Sequence, residues 1–451
     1  LEGGRSEAAA AALTELEGRR VATFRIAEGT HRGAIGPAEG ATIERAVRLA
    51  VELGVPLVGT IASSGADVGG GVASLHSWGR VARALSDASG VVPTLLVVVG
   101  PCLSGPALLL GIADLTIMTA DAFAYVSGPD TVRAFTGIAL DHVALGGAAL
   151  HGRSGVASLV VERVEDAETA VSHLLEYLPS NHFEDAPVVP CDDPVDRDTT
   201  RAAATVPDRA NASYDMRVVL DDVLDEGSFL ELRGGHAANL LTALGRLDGH
   251  AVGVIANQPH HRAGTIDIEA SEKAARFVQW CDCFNLPLIT FVDTPGFEPG
   301  KDLEWRGMIR HGAELVHAYA AATVPRLCVV LRKAYGGAYI VMDSKGLGND
   351  WCGAWPNAEI AVMGAVGAVQ VLHGRRLREV ELEGGDRVGA ETALVAEFEG
   401  ELATPYRAAE RGFVDEVLAA ADTRRSLTAA LARLRTKRET ADARPHANSP
   451  L

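Results

Sequence analysis

The 451-residue sequence lacks several features that would place it in a special class of protein. No run of 18 apolar residues is free of interruption, so a membrane-spanning helix is not expected. Basic charge is scarce, because 41 Lys and Arg residues stand against 59 Asp and Glu residues, and the formal net charge is −18. This acidic balance argues against a nucleic-acid partner and against binding to an anionic membrane surface.

Cysteine is also scarce, and the six cysteines show no zinc-ligand spacing. The close pair Cys281 and Cys283 is interpreted as two helix positions that point in different directions. We therefore predict no metal site. We also predict reduced thiols and a cytoplasmic location.

The composition predicts a globular protein with two or three domains, since 47% of the residues are apolar and 22% are charged. A break rich in proline, aspartate and arginine lies near residues 181–212 and is typical of an interdomain linker. We place an N-terminal domain at residues 1–193, a linker at 194–213 and a C-terminal domain at 214–451.

Both halves alternate between strand-like and helix-like segments, which predicts layered α/β domains. The alanine-rich stretch 8–13 is predicted to form an N-terminal helix. Buried strands are predicted at 20–24, 56–60, 94–99, 251–256, 287–292 and 326–331, with helices at 42–53 and 271–283.

The most informative segment is Lys333–Tyr339, in which two adjacent glycines follow a predicted strand and precede a predicted helix. Glycines allow the backbone to approach a ligand closely, and the N–H groups at a helix N-terminus favour negative charge. Such a turn can form an oxyanion hole without a charged side chain. Residues 100–105 have a similar arrangement in the first half, which indicates a weak internal duplication.

Three segments together resemble the carboxyltransferase β subunits of biotin-dependent acyl-CoA carboxylases, of the propionyl-CoA and acetyl-CoA carboxylase type. They are Lys333–Tyr339, Asp293–Gly300 upstream, and Ala354–Pro356 with Ala361–Ala365 downstream. The resemblance extends from about residue 20 to residue 451, and its last segment is Arg435–Thr440. It implies a tandem crotonase-like (ClpP/crotonase) fold. It also implies a homohexamer whose active site lies where the N-domain of one subunit meets the C-domain of another.

The resemblance further implies transfer of a carboxyl group from carboxybiotin to the α-carbon of an acyl-CoA thioester, giving a malonyl-CoA-type product. Gly337 and Ala338 would hold the biotin ureido oxygen, and Ser104 and Gly105 would hold the thioester carbonyl. Ile340 matches a position that lines the acyl pocket, where an apolar residue goes with acetyl or broader use. The full set of expected substrate-binding residues is Ile340, Gly336, Tyr339, Gly65, Ala66, Gly128 and Pro129.

The sequence has no Ala-Met-Lys-Met segment for attaching biotin, so biotin is expected on a partner biotin carboxylase/biotin carrier (α) subunit. The first half departs from the family at Asp67, where the family has Arg, and at Ser104, where the family has Gly. Pro106 removes an N–H. Two alternatives therefore remain: a pathway-adapted relative with a non-standard acceptor, and a non-catalytic structural β subunit.

Several other residues have a structural interpretation that outweighs a catalytic one. His311 could be a general base, but a lone histidine on a helix is more often structural. Asp350 and Glu359 are interpreted as solvated or structural, and Trp351 and Trp355 as core residues.

Overall fold

The computed structural model describes residues 8–29, 31–209 and 211–437, together with positions 439, 448 and 450. Residues 1–7 of the first predicted domain, and Arg438 and Thr440 of the last segment of the resemblance, lie outside this part. The chain divides into two compact units. Unit 1 comprises residues 1–187, 232–236 and 283–285, and unit 2 comprises residues 188–231, 237–282 and 286–451.

Unit 1 contains a seven-stranded sheet with the order β1-β2-β3-β4-β5-β7, in which β6 pairs with β4. The first two strands are antiparallel and the other pairs are parallel. The strands are β1 Ala9–Leu16, β2 Arg19–Ile26, β3 Leu57–Ser63, β4 Thr94–Leu103, β5 Leu115–Thr119, β6 Phe123–Tyr125 and β7 Leu159–Val161.

Helices follow the strands of unit 1, as expected for parallel strands that need crossover connections. Pro37 begins the first helix, a position where its missing N–H costs nothing, and Gly54 ends it in the left-handed conformation. The helices are α1 Pro37–Leu53, α2 Val72–Ala88, α3 Leu109–Ile112, α4 Pro129–Thr136, α5 His142–Gly146, α6 Ala148–Ser154 and α7 Val164–Leu175.

Unit 2 contains an eight-stranded sheet with the order β15-β13-β12-β11-β10-β9-β8, in which β14 pairs with β12. Strands β9 and β10 are antiparallel, and the pairs from β10 to β15 are parallel. The strands are β8 Leu230–Leu232, β9 Leu240–Leu247, β10 His250–Asn257, β11 Leu288–Thr294, β12 Arg326–Tyr335, β13 Trp351–Ala354, β14 Glu359–Ala361 and β15 Glu416–Val417.

The helices of unit 2 also alternate with its strands, and the longest of them follow β10, β11 and β14. They are α8 Thr200–Thr205, α9 Met216–Val223, α10 Ile268–Cys283, α11 Lys301–Trp305, α12 Met308–Ala321, α13 Gly336–Val341, α14 Ala365–Leu382, α15 Arg387–Glu401, α16 Pro405–Glu410 and α17 Thr423–Leu434. Residues 194–213 lie in unit 2 and include α8. None of the helices in the described ranges is long and apolar enough to cross a membrane.

Apart from the additional strand β8 of unit 2, the two units repeat one topology, which confirms the predicted duplication. Each begins its parallel sheet with an antiparallel pair, β1–β2 in unit 1 and β9–β10 in unit 2. Each central strand, β4 or β12, pairs with a short extra strand after the pairing with its neighbour shifts register. The carboxyl end of each central strand is therefore bent relative to its neighbouring strand, and the glycine turn follows this bend.

The N-terminal helix predicted at residues 8–13 is wrong, since Ala9–Leu16 forms strand β1. It pairs with β2 over eight residue pairs, from Ala9 opposite Ile26 to Leu16 opposite Arg19. Alanine favours helices, but the pairing with β2 supplies a ladder of hydrogen bonds that local propensity does not outweigh. Ala9 and Ala11 are buried and Leu13 is half-buried, whereas Ala10 and Ala12 are exposed, which is the alternation of a strand covered on one face.

Candidate functional site

The glycine turn of unit 2 lies at the carboxyl end of β12. Nine of the ten residues of this strand are buried, so the turn starts from a fixed base. Gly336 has φ +60°, and a methyl group placed on it would lie 3.0 Å from the Val362 carbonyl oxygen. Both observations require glycine at this position. Helix α13 begins at the same residue.

The amides of Gly337 and Ala338 are the chemically distinctive groups of this turn. They belong to the first turn of α13, whose N–H groups have no acceptor inside the helix. Tyr335, at the N-cap, provides no side-chain hydrogen bond to them. Gly337 is exposed, so an anionic oxygen has access to this end of the helix.

An aromatic ring lies against the same turn. A methyl group placed on Gly337 would lie 3.4 Å from Phe297 Cε2, and one placed on Gly312 of α12 would lie 3.4 Å from Phe297 Cε1. The ring thus lies between the turn and α12. Phe297 follows Gly296, whose φ of +145° lets the loop after β11 turn back toward the sheet.

A buried ion pair supports the base of the turn. Asp293 is fully buried at the end of β11, and its Oδ2 lies 3.0 Å from both Nε and the second terminal nitrogen of Arg332. Its Oδ1 accepts a hydrogen bond from the Lys333 backbone N–H at 3.2 Å. The remaining terminal nitrogen of Arg332 donates to the carbonyl oxygens of Arg209 and Ala212, at 2.7 and 2.8 Å.

This buried cluster changes the ionisation of its neighbours. Burial raises the pKa of Tyr214, over whose ring the Arg332 guanidinium lies at 5.1 Å, well above its ordinary value. Burial also lowers the pKa of Lys333, an effect that the nearby Asp293 carboxylate opposes. The charged groups of this cluster are therefore desolvated, and they support the strand that carries the glycine turn.

The residues after the turn differ in exposure. Tyr339 is buried, and desolvation raises the pKa of its hydroxyl. Ile340 is 42% exposed, so its side chain is available to a ligand. Before the turn, the Tyr335 hydroxyl donates to Glu359 Oε2, which gives Glu359 the structural role predicted from the sequence.

The equivalent turn of unit 1 has a serine in a glycine-like conformation. Ser104 follows the last residue of β4 with φ +62° and ψ −144°, a region that side chains other than glycine rarely adopt. Its N–H donates to the Tyr125 carbonyl oxygen at 2.9 Å, and its carbonyl accepts from the Ala107 N–H at 3.0 Å. The Ser104 amide is therefore engaged within the protein.

Gly105 is held against an indole ring in the same turn. A methyl group placed on Gly105 would lie 2.7 Å from Trp78 Cε2, so only glycine fits. Trp78 Nε1 is buried, and no acceptor reaches it within the described part of the chain. Gly105 begins a short 3-10 helix whose second residue, Pro106, has no N–H.

The segment from Gly65 to Asp67 lies beside this turn. Gly65 has φ +107°, and a methyl group on it would lie 3.2 Å from Ser104 Cβ. Ala66 pairs with Ile35 in an isolated parallel bridge. Asp67 accepts a hydrogen bond from the Gly69 N–H at 3.0 Å, so its carboxylate caps its own loop.

Gly128 and Pro129 lie at the start of α4. Gly128 is the N-cap and Pro129 the first helical residue. A methyl group on Gly128 would lie 3.6 Å from Tyr125 Cε2, and the Tyr125 carbonyl is the group that binds Ser104. The structure thus brings Gly65, Ser104, Gly105 and, through Tyr125, Gly128 into one region of unit 1.

Sequence reasoning missed the residues that hold both turns in place. Trp78 and Tyr125 carry no motif of their own, and Phe297 lies in the Asp293–Gly300 segment without a signal for its place against the turn. The roles of all three depend on contacts between distant segments. The pair Asp293 and Arg332 had a weak signal, because each stands beside a predicted strand end.

The carboxyl transferase domain family matches residues 6–449 of this chain. The propionyl-CoA carboxylase carboxyltransferase subunit of Haloferax mediterranei is 45% identical over 441 residues, covering 97% of this chain and 84% of that protein. The propionyl-CoA carboxylase beta chain of Saccharopolyspora erythraea is 44% identical over 446 residues, covering 97% of this chain and 82% of that protein.

A solved structure matches nearly the full length of the chain. The hexameric transcarboxylase 12S, crystallised with hydrolysed methylmalonyl-CoA, superposes with a TM-score of 0.95 at 38% identity, covering 99% of this chain and 85% of that one. This similarity confirms the predicted tandem crotonase-like α/β fold. The chain therefore belongs to the carboxyl transferase domain family and is a carboxyltransferase of the biotin-dependent acyl-CoA carboxylase type.

Proposed function

We propose that this protein carboxylates the α-carbon of a short acyl-CoA with carboxybiotin presented by a partner biotin carrier subunit, and that the product is of the malonyl-CoA type. The supporting observation is the Gly336-Gly337-Ala338 turn, which has two first-turn amides and is exposed at Gly337. Biotin, when bound, supplies the activated carboxyl group.

Gly337 and Ala338 act in this proposal as the donors for the biotin ureido oxygen. Backbone N–H groups that are fixed before the reaction stabilise developing negative charge without reorganising. The buried strand β12, the Phe297 ring and the pair of Asp293 with Arg332 fix the turn that carries them.

On the acyl side we propose Gly105 as the donor for the thioester carbonyl. By the resemblance Ser104 also lies at the thioester carbonyl. Its N–H already donates to the Tyr125 carbonyl oxygen, so Gly105 is the donor that we propose. Trp78 sets the position of Gly105 because its ring leaves no room for the turn to shift inward. Gly65, Ala66, Gly128 and Pro129 are proposed to line the acyl-CoA side.

For the acyl group we propose propionyl or acetyl. Relatives with 45% and 44% identity are named for propionyl-CoA, which favours a propionyl-type substrate. Ile340, at the exposed end of the turn, favours acetyl or broader use by the resemblance. Gly336 and Tyr339 complete the proposed pocket wall.

We propose that the protein works as a homohexamer with a biotin carboxylase/biotin carrier (α) subunit, as the hexameric 12S relative suggests. A cytoplasmic location is part of the proposal. None of the six cysteines, all of which lie in the described ranges, forms a disulfide, as expected of a reducing compartment.

The test supplies a biotin carboxylase and carrier subunit, ATP and ¹⁴C-bicarbonate, and offers acetyl-, propionyl- and longer acyl-CoAs. We expect label in the propionyl or acetyl product. Ala338→Pro removes one donor, since proline has no N–H and the first-turn N–H groups have no acceptor inside the helix. It should lower kcat by about 10²-fold or more. No label in any CoA ester, with carboxylated carrier present, would overturn the proposal.

A second candidate is carboxylation of an acceptor that is not a standard acyl-CoA. Two observations favour it: Pro106 stands where the unit 2 turn has the donor Ala338, and Ser104 projects a side chain from the turn. Full activity on acetyl- or propionyl-CoA would exclude this candidate.

A further inference from the structure

We propose that Glu272, His311 and Glu314 form a binding site for a first-row divalent cation, Mn²⁺ or Zn²⁺. His311 and Glu314 are three residues apart on α12, so they share one face of that helix. Glu272 comes from α10. This site is separate from the carboxyl-transfer chemistry and does not rest on the proposed function.

The distances among the three ligand atoms fit one ion. His311 Nδ1 lies 2.8 Å from Glu272 Oε1 and 3.5 Å from Glu314 Oε1, and all three atoms lie within 4.8 Å of one another. Ligands about 2.0–2.2 Å from one ion, at tetrahedral or octahedral angles, are about 3.0–3.5 Å apart. The triad therefore needs only small side-chain movements to surround an ion.

The buried ring atom of His311 gives an independent indication. The His311 side chain is only 10% exposed, and its Nδ1 is shielded from solvent. Although Glu272 Oε1 is close, the contact lacks the alignment of a hydrogen bond, so Nδ1 is left unsatisfied. The two carboxylates are 46% and 31% exposed, which leaves an entrance from solvent.

Arg310 occupies the other ring nitrogen of His311. Its guanidinium donates to His311 Nε2 at 2.8 Å, and this contact requires Nε2 to act as an acceptor. An imidazole that binds an ion through Nδ1 has its N–H at Nε2, so Arg310 then loses its acceptor. Because Arg310 is exposed, its side chain can turn to solvent. Arg310 therefore competes with the ion.

The donor set selects the class of ion. One imidazole and two carboxylates suit Mn²⁺, Fe²⁺ or Zn²⁺ better than Mg²⁺ or Ca²⁺, which prefer oxygen ligands alone. Glu269, one turn before Glu272, pairs with Arg306 at 2.7 Å and stays outside the set. Two carboxylates with a neutral imidazole balance the charge of a divalent ion.

An ion bound at this site would hold α12 against α10 next to the glycine turn. Gly312, the residue after His311, contacts Phe297, and the same ring contacts Gly337. An ion that ties α12 to α10 would therefore limit the movement of the helix that backs this ring. We assign the ion a structural role.

The experiment titrates metal-free full-length protein with Mn²⁺ and with Zn²⁺ by calorimetry, with Mg²⁺ for comparison. We expect one ion per chain. Glu314→Gln should weaken binding at least tenfold, about the loss that altering even a metal site's outer partners produces. Glu397→Gln on the exposed face of α15 is the matched control and should bind as the native chain does.

Arg310→Gln tests the competition with the ion, and we expect it to tighten binding, because no guanidinium then needs His311 Nε2 as its acceptor. Circular dichroism checks that each variant is folded. Absence of binding to the native chain, or equal affinities of Glu314→Gln and Glu397→Gln, would overturn the site. Arg310→Gln binding no more tightly than the native chain would overturn the competition between Arg310 and the ion.

Discussion

Ser104 and Gly336 occupy the same position in the two halves of the chain. Each follows the last residue of a central parallel strand, and each has φ close to +60°, +62° for Ser104 and +60° for Gly336. A glycine follows in both cases, Gly105 in the first half and Gly337 in the second, and a short helix starts within this turn. Only Ser104 carries a Cβ in this conformation, so the backbone strain lies in the first half.

Ser104→Gly should therefore stabilise the protein. Relief of the strained conformation should add about 1–3 kcal/mol to the free energy of unfolding. The greater flexibility of glycine in the unfolded chain should subtract about 1 kcal/mol from it. We expect a net increase of about 1 kcal/mol in the free energy of unfolding, measured with urea. Ser89→Gly is the control, because Ser89 has φ −58° and is not strained. This variant should be less stable than the native chain, and a gain equal to that of Ser104→Gly would contradict the interpretation.

Gly105→Ala should impair carboxyl transfer to the acyl group. The new methyl group would lie 2.7 Å from Trp78 Cε2, so the turn must move outward by a substantial fraction of an ångström. A displacement of about 1 Å in a catalytic group costs about 10²-fold in rate, which is the loss expected in the ¹⁴C assay. Gly111→Ala, where the methyl group meets open space, should keep native activity.

Arg332→Met should strongly destabilise unit 2. It leaves the fully buried Asp293 carboxylate without its guanidinium partner, and breaking a buried ion pair in this way costs about 3–5 kcal/mol. Urea unfolding measures the loss. Arg375→Met removes a 90% exposed side chain and should stay within about 0.5 kcal/mol of the native value. A loss of stability in Arg332→Met as small as that in Arg375→Met would show that the ion pair contributes little to the free energy of unfolding.

Asp343 predicts a dependence of stability on pH. Burial raises the pKa of this carboxyl to about 7, although Arg326 donates to its Oδ1 at 2.9 Å and opposes the shift. Between an unfolded pKa of about 3.9 and the folded value, only the folded state holds the proton. The free energy of unfolding therefore falls as pH rises from about 4 to about 7, and levels off above that.

Asp343→Asn should remove this component. The native chain should lose stability relative to the variant between pH 4.5 and pH 7.5, and the difference between them should be constant from pH 8 upward. Urea midpoints of both proteins across this range measure the effect. A difference that stays constant over the whole range would contradict the raised pKa.

Ile340→Asp should alter acyl selectivity. By the resemblance, an acidic residue at this exposed position goes with propionyl selectivity. We expect the propionyl-to-acetyl ratio of kcat/KM to rise about tenfold, within the range that one methylene allows. The ¹⁴C assay with both substrates measures the ratio. Ile340→Val should leave it near the native value, and an unchanged ratio in both variants would place Ile340 outside the pocket.

The strands with continuous apolar runs could be predicted from the sequence because burial on both faces leaves a local pattern. Thr94–Val99 and Arg326–Leu331 fall within β4 and β12, which extend further only into the glycine turns. Strand β1 could not be predicted, because an alanine-rich segment becomes a strand only through its pairing with β2. That information lies in the partner strand rather than in the segment.

The glycines of the turn in unit 2 could likewise be found in the sequence, since adjacent glycines between a strand and a helix are rare without a reason. The contacts that hold them could not. Phe297 reaches Gly337 across 40 residues of chain, and Trp78 reaches Gly105 across 27, so neither contact leaves a local signal.

The repeated strand–turn–helix arrangement of β4 and β12 also bears on descent. Apart from the additional strand β8 of unit 2, the two copies share one strand order and a bent central strand, which indicates duplication and fusion of one ancestral gene. After fusion, each copy could specialise independently, since a mutation in one no longer altered both. The serine at 104, where the second copy has glycine at 336, is one such difference between the copies.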